Sequence, residues 1–153
     1  MQRRTRTSGV FLKIHATCLL SGVTLLASLA GLGALRAAPQ GRDSQGWQIP
    51  AGAAAEVNPV PATPATLARG RDLYQSKCQK CHGASGRGDG PEADPDQPPG
   101  DLTDAKRAPR NPDGVMFYKI WNGRSDPKMT AFKTDMPRED VWTVIHHVKT
   151  LRQ

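Results

Sequence analysis

Residues 78–91 read Cys-Gln-Lys-Cys-His-Gly-Ala-Ser-Gly-Arg-Gly-Asp-Gly-Pro, and the first five decide how the rest of the chain is read. Cys-x-x-Cys-His is the attachment signature of c-type haem. The spacing has a mechanical reason: the sulfurs of Cys78 and Cys81 can form thioether bonds to neighbouring edges of one porphyrin. The adjacent His82 then faces the iron as an axial ligand. A Cys-x-x-Cys pair also occurs in redox dithiols and in half of a zinc site. The zinc reading lacks a second Cys or His pair at suitable spacing, since His146 and His147 are distant and adjacent to each other. A thioredoxin-like dithiol needs a strand and βαβ context, which the flanks do not supply. Covalent haem is therefore the preferred reading, with a dithiol or disulfide as its alternative.

Working outward, the segment before the motif reads as a helix. Thr63 is a natural N-cap and Pro64 suits the first helical position, after which Leu67, Gly70 and Tyr74 fall on one stripe running into Cys78. A second helix is expected after Asn111-Pro112-Asp113, with Met116, Phe117, Ile120 and Trp121 on its apolar face. It should end at Asn122-Gly123, where glycine suits a left-handed cap. A third occupies roughly 138–152, opened by Pro137 and Glu139-Asp140, with Val141, Val144, Ile145, Val148 and Leu151 as its stripe and Trp142 beside it. No strand is expected, so the fold class is all-α.

The chain has 153 residues, with 13 Pro, 15 Gly and 37% hydrophobic residues, which describes one small loop-rich domain with a modest core. Such a domain usually needs a staple, and three cysteines permit at most one disulfide, so a cofactor is the better candidate.

Arg3, Arg4, Arg6 and Lys13 precede the uncharged run Ala16–Leu35, the pattern of an export signal or membrane anchor over residues 1–38. The 20-residue run suits a bilayer crossing, and Arg36 is poorly placed for cleavage near Ala37 and Ala38. A tether through residues 16–35 is therefore weighed against cleavage. Either way the remainder should lie outside the cytoplasm, in a periplasmic or equivalent compartment. Cys18 sits inside the run and reads as a membrane-buried thiol. Residues 39–62, rich in Pro, Ala and Gly, read as a linker or extended arm, part of which can lie along the domain through Trp47 and Ile49.

The formal charge of +7 changes meaning once the leader is set aside. Five of the 21 basic residues and none of the 14 acidic ones precede Pro39, leaving sixteen against fourteen, a net +2. No interleaved basic and aromatic surface appears, so nucleic acid is not an expected partner. The charges are nonetheless polarised: Asp89, Glu92, Asp94, Asp96, Asp101 and Asp104 come first, and a mainly basic stretch from Lys106 to Arg138 follows. Solvated loop faces explain this pattern blandly, and a docking dipole for redox partners explains it functionally.

With these residues placed, the chain from about Pro64 to Leu151 resembles the class I cytochrome c family, monohaem proteins whose short all-α fold wraps one haem. The resemblance is carried by Gly70 and Tyr74, by Cys78-x-x-Cys81-His82-Gly83 and by Gly86-x-Gly88-Asp89-Gly90-Pro91. It continues through Pro98-Pro99-Gly100-Asp101-Leu102-Thr103, Lys119-Ile120-Trp121-Asn122-Gly123, Met129 and Trp142. It implies three to four helices around one covalent haem c within residues 63–153, the first and last helices crossing. Gly70 should then admit Trp142 or Ile145, with Tyr74 filling the junction. Two departures stand out: Thr130 follows Met129 where the family often has proline, and His147 stands at a commonly aromatic position. His146 and His147 point about 100° apart on a helix and read as surface or packing residues.

The reading that follows is a one-electron carrier, not an enzyme, whose iron is held by His82 and Met129. It would serve unidentified redox proteins in a respiratory or dehydrogenase-linked chain. Met129 is preferred as sixth ligand because it lies in a loop between helices, while Met116 falls on an apolar helix stripe. Met136, the alternative, stands at the entry of the last helix, where the resembling family usually places a packing aliphatic. The competing class is a haem subunit of a periplasmic oxidoreductase complex, or a haem enzyme or sensor with a labile sixth ligand.

Overall fold

A computed structural model of the chain describes residues 40–42 and 46–152. The leader, with Cys18 and the proposed tether at 16–35, lies outside the described residues. Among the described residues no helix is long and apolar enough to cross a membrane.

Among the described residues four α-helices carry the fold: α1 (Pro64–Lys77), the single turn α2 (Gln79–His82), α3 (Asp113–Asn122) and α4 (Arg138–Thr150). Thr63 caps α1 as its sequence requires. Its hydroxyl accepts from the Thr66 amide at 3.2 Å, and the Thr66 hydroxyl accepts from the Thr63 amide at 2.8 Å. Such a reciprocal cap contributes about 1 kcal/mol. At the end of α3 the Gly123 amide closes on Lys119 O at 2.9 Å with φ of +57°, the expected glycine stop.

Two short hairpins were not expected: β1 (Gln40–Arg42) with β2 (Gln48–Pro50), and β3 (Arg124–Ser125) with β4 (Lys128–Met129), both antiparallel. Strands of two or three residues carry no readable period-2 pattern, which is why sequence periodicity passes over them.

The core lies between α1, α3 and α4. Phe117 is fully buried and stacks on Trp142 at 4.2 Å between centroids and on Trp121 at 5.6 Å, with Val141, Val144 and Ile145 also closed off from solvent. Pairs of this kind contribute roughly 0.5–1.5 kcal/mol each beyond the area they bury. The crossing of α1 on α4 passes through Gly70, where a Cβ would stand 2.6 Å from Thr143 O and 3.3 Å from the Cβ of His147. The neighbours at the crossing are thus Thr143 and His147 rather than Trp142 or Ile145. Successive helical residues turn by about 100°, so Trp142, turned toward Phe117 of α3, cannot also face α1, whereas Thr143 and His147, four apart, share the α1 side. Tyr74, 1% exposed, fills the junction as expected and meets the His147 ring edge-on at 5.0 Å. Burial, assisted by Arg71, holds that imidazole below the usual histidine range. His146 is also a packing residue, its Nε2 2.7 Å from Val60 O.

The described part of the arm lies against the helices. Trp47 and Ala53 are buried. Asn122 donates to Gln48 O at 3.1 Å, Tyr118 to Glu56 at 3.1 Å, and Asn58 to Trp142 O at 2.8 Å. Trp47 and Ile49 marked the arm as able to lie along the domain, as it does, but these bonds were not legible because they join groups far apart in sequence whose positions depend on the folded helices.

Candidate haem-binding site

The site starts where α1 ends. Cys78 closes α1 with its amide on Tyr74 O at 2.8 Å and also begins α2, so one turn holds the whole motif: Cys81 N reaches Cys78 O at 3.2 Å and His82 N reaches it at 2.9 Å. Both cysteines are half-buried and form no disulfide with each other. Cys78 packs against the core, and burial, with the nearby Cys81 adding to it, pushes its thiol up to about 12. A redox dithiol requires a lowered thiol pKa, so this environment argues against that alternative. Among the described residues no group of three or more His, Cys, Asp or Glu side chains gathers as a metal site.

Beyond His82 the chain doubles back over the motif. Gly88 N bonds His82 O at 2.8 Å, Gly90 N bonds Cys81 O at 3.2 Å, and Glu92 N bonds Lys80 O at 2.7 Å. The Tyr74 hydroxyl donates to Gly83 O at 2.8 Å and fixes the start of this loop to α1. Gly88 is required twice over: its φ is +84°, and a Cβ would collide with Pro99 O. That contact brings Pro99-Gly100 against the loop. There the Nδ1 atom of His82 is enclosed and makes no formed hydrogen bond, although the Gly100 backbone lies near enough to favour the charged ring. Burial is the larger influence and holds His82 below the usual histidine range, leaving it neutral, the form that binds a metal. An orphaned, buried ring nitrogen costs about 1–3 kcal/mol in an isolated protein. An Nδ1–H directed at the nearby Gly100 backbone avoids that cost and leaves Nε2 for a metal, so the residues present fit a haem iron.

The methionines separate by environment. Met136 is 5% exposed and belongs to the core, its amide on Phe132 O at 2.9 Å. Met116 is 7% exposed on α3, its sulfur 2.9 Å from Arg152 Nη2. Met129 ends β4 half-buried, outside the core, opposite Arg124 in the hairpin register. Its loop is hung from the end of α3: Phe132 N bonds Ile120 O at 3.1 Å and Lys133 N bonds Trp121 O at 3.3 Å.

Several acidic residues of the preceding loop have local tasks. Asp94 accepts from Asp96 N at 2.9 Å, Asp101 from the Thr103 amide and hydroxyl at 2.7 and 2.6 Å, and Asp104 from Lys106 N at 2.9 Å. Glu92 pairs with Lys80 at 3.0 Å on the surface. Turn chemistry therefore accounts for much of the acidic stretch without any docking role.

Residues 67–152 match the cytochrome c family. The chain belongs to the cytochrome c family. As such it carries covalently bound c-type haem. Of solved structures, it is similar to a chain of the reducing HAO-like protein complex Kustc0457/Kustc0458 of Kuenenia stuttgartiensis. The identity is 28% and the TM-score 0.52, over 64% of this chain and 50% of that one. It thus spans about half the length of that relative. It is also similar to the KustC0563 c-type cytochrome, at 22% identity and a TM-score of 0.45, over 55% of this chain and 98% of that one. No curated protein matches it. The helices of this cytochrome c domain are those the resemblance implied. What sequence reasoning missed was the Gly100 neighbour of His82 and the hairpin under Met129. The Pro98-Pro99-Gly100 run was the one signal for the former.

Proposed function

We propose that the chain is a one-electron carrier whose haem is held by thioethers to Cys78 and Cys81, with His82 and Met129 as axial ligands. The observation that carries this is the single turn that sets Cys78, Cys81 and His82 side by side, with the His82 Nδ1 enclosed. Met129 is preferred because Met116 and Met136 are committed to packing. The group supplies a metal that gains and loses one electron, and a thioether ligand biases it toward the reduced form. The chain's own residues keep His82 neutral, exclude water with the Phe117, Trp142 and Met136 core, and hold the two ligand segments on separate rigid supports. A saturated coordination sphere leaves no position for a substrate. Optical spectra of the oxidised and reduced protein, with and without exogenous imidazole, test this: ready imidazole binding by the wild type would favour a haem enzyme or sensor.

The similarity to a component of an HAO-like complex favours a second reading, a haem subunit of an oxidoreductase assembly. In either case redox proteins are the partners.

The division into leader 1–38, arm 39–62 and haem domain 63–153, and an extracytoplasmic location, belong to the same proposal and rest on the leader's composition. The 20-residue run and Arg36 favour retention as an anchor. N-terminal sequencing should find the leader intact in the membrane fraction, and a mature start near Ala38 or Pro39 in the soluble fraction would defeat the anchor.

A further inference from the structure

The hairpin that presents Met129 is too short to hold itself. With two residues in each strand, β3 and β4 share few ladder bonds, and an isolated two-stranded hairpin is marginal in water even when longer. Its geometry must come from its neighbours. On the side following Met129 the backbone bonds of Phe132 and Lys133 tie it to α3. On the side preceding Met129 the neighbour is the arm.

Three consecutive arm residues reach this region. Gln48 O accepts from Asn122 at the end of α3. Trp47, 7% exposed, faces two cations: the Arg124 guanidinium carbon lies 4.3 Å from its ring centre and Lys119 Nζ lies 5.2 Å away. A Cβ on Gly46 would lie 3.7 Å from Asp126 O in the hairpin turn. Arg124 is the register partner of Met129, so the indole bears on the strand directly across from the methionine.

We propose that Trp47 is a positioning residue for the sixth ligand: the arm braces the β3–β4 hairpin through the Trp47–Arg124 contact and thereby sets how readily Met129 gives way to an exogenous ligand. This rests on the reading of Met129 as that ligand. The indole face attracts the guanidinium and shields it from water, so the hairpin keeps one geometry instead of sampling open ones. The arm is then part of the electron-transfer device as well as a connector.

The test uses the full-length chain with its haem attached, and reads imidazole binding to the oxidised protein together with the charge-transfer band of methionine–iron ligation. Trp47→Ala should leave covalent haem content unchanged, weaken the band and tighten apparent imidazole binding about tenfold, the shift expected when the closed state loses one good cation–π contact. Trp47→Phe, which keeps a ring, should fall between. Arg124→Gln should move both readouts in the same direction from the hairpin side, and it carries the test if Trp47→Ala does not fold. Tyr118→Phe removes the arm's bond through Glu56, away from the hairpin, and should lower stability without changing imidazole affinity. Wild-type affinity and band in Trp47→Ala and Arg124→Gln, alongside free imidazole uptake by Met129→Ala, would overturn the brace and leave the ligand reading standing. An unchanged band in Met129→Ala would instead sink the ligand reading itself.

Discussion

Replacing Cys78 and Cys81 together by serine leaves a chain whose mass, after denaturation, is that of the bare polypeptide, while either single replacement retains one thioether and so still carries haem through denaturation. The expectation follows from the geometry of the motif, in which one turn from Cys78 O to His82 N fixes both thiols beside the histidine. The consequence for folding is as large as that for chemistry. A domain of this size with so modest a core depends on its cofactor as a staple, and binding to the folded state adds directly to stability. Losing it should remove a large part of the roughly 5–15 kcal/mol typical of a folded domain. Thermal unfolding of the double variant should be broad or absent by near-ultraviolet dichroism. If the wild-type protein, expressed with haem-attachment machinery, shows only the bare polypeptide mass, the assignment of both cysteines fails.

Met129→Ala keeps the covalent haem, lowers the reduction potential and opens the iron to exogenous ligands. A thioether ligand raises the potential, so its loss acts in the downward direction. An internal ligand on an anchored loop also competes at a high effective concentration, so its removal should tighten imidazole binding by about 100-fold or more. The informative contrast is Met136→Ala. That side chain is 5% exposed in the core, and its truncation should cost about 2–5 kcal/mol of stability while ligation stays intact. Redox titration and imidazole binding on the two variants separate the roles: an open iron in Met136→Ala with a closed one in Met129→Ala would reverse the assignment.

The helices were legible because each is decided locally. Thr63-Pro64 starts α1 where a cap and a fixed φ are needed, Asn122-Gly123 stops α3, and the stripe from Val141 to Val148 is the buried face of α4. The motif was legible for the same reason, since three chemical groups within five residues specify a covalent cofactor wherever the turn lies in space. The arm was half legible: Trp47 stood out as a large apolar group in a Pro- and Ala-rich stretch, but nothing nearby in sequence named Arg124 as its partner.

The sequence by itself therefore determined the fold class, the limits of α1, α3 and α4, the candidate haem-attachment turn and the short list of candidate sixth ligands. These depend on interactions within about one helical turn, or on a family pattern spread along the chain. Only the tertiary structure decided that Thr143 and His147, rather than Trp142 or Ile145, meet Gly70. Only it decided that His82 keeps an enclosed, unbonded nitrogen near Gly100, that Met136 is core, and that the arm grips the Met129 hairpin. The physical reason is common to all four: each depends on the rotation of one element about its axis relative to another distant in sequence. That rotation is set by the packing of the whole core, which no local window of residues contains.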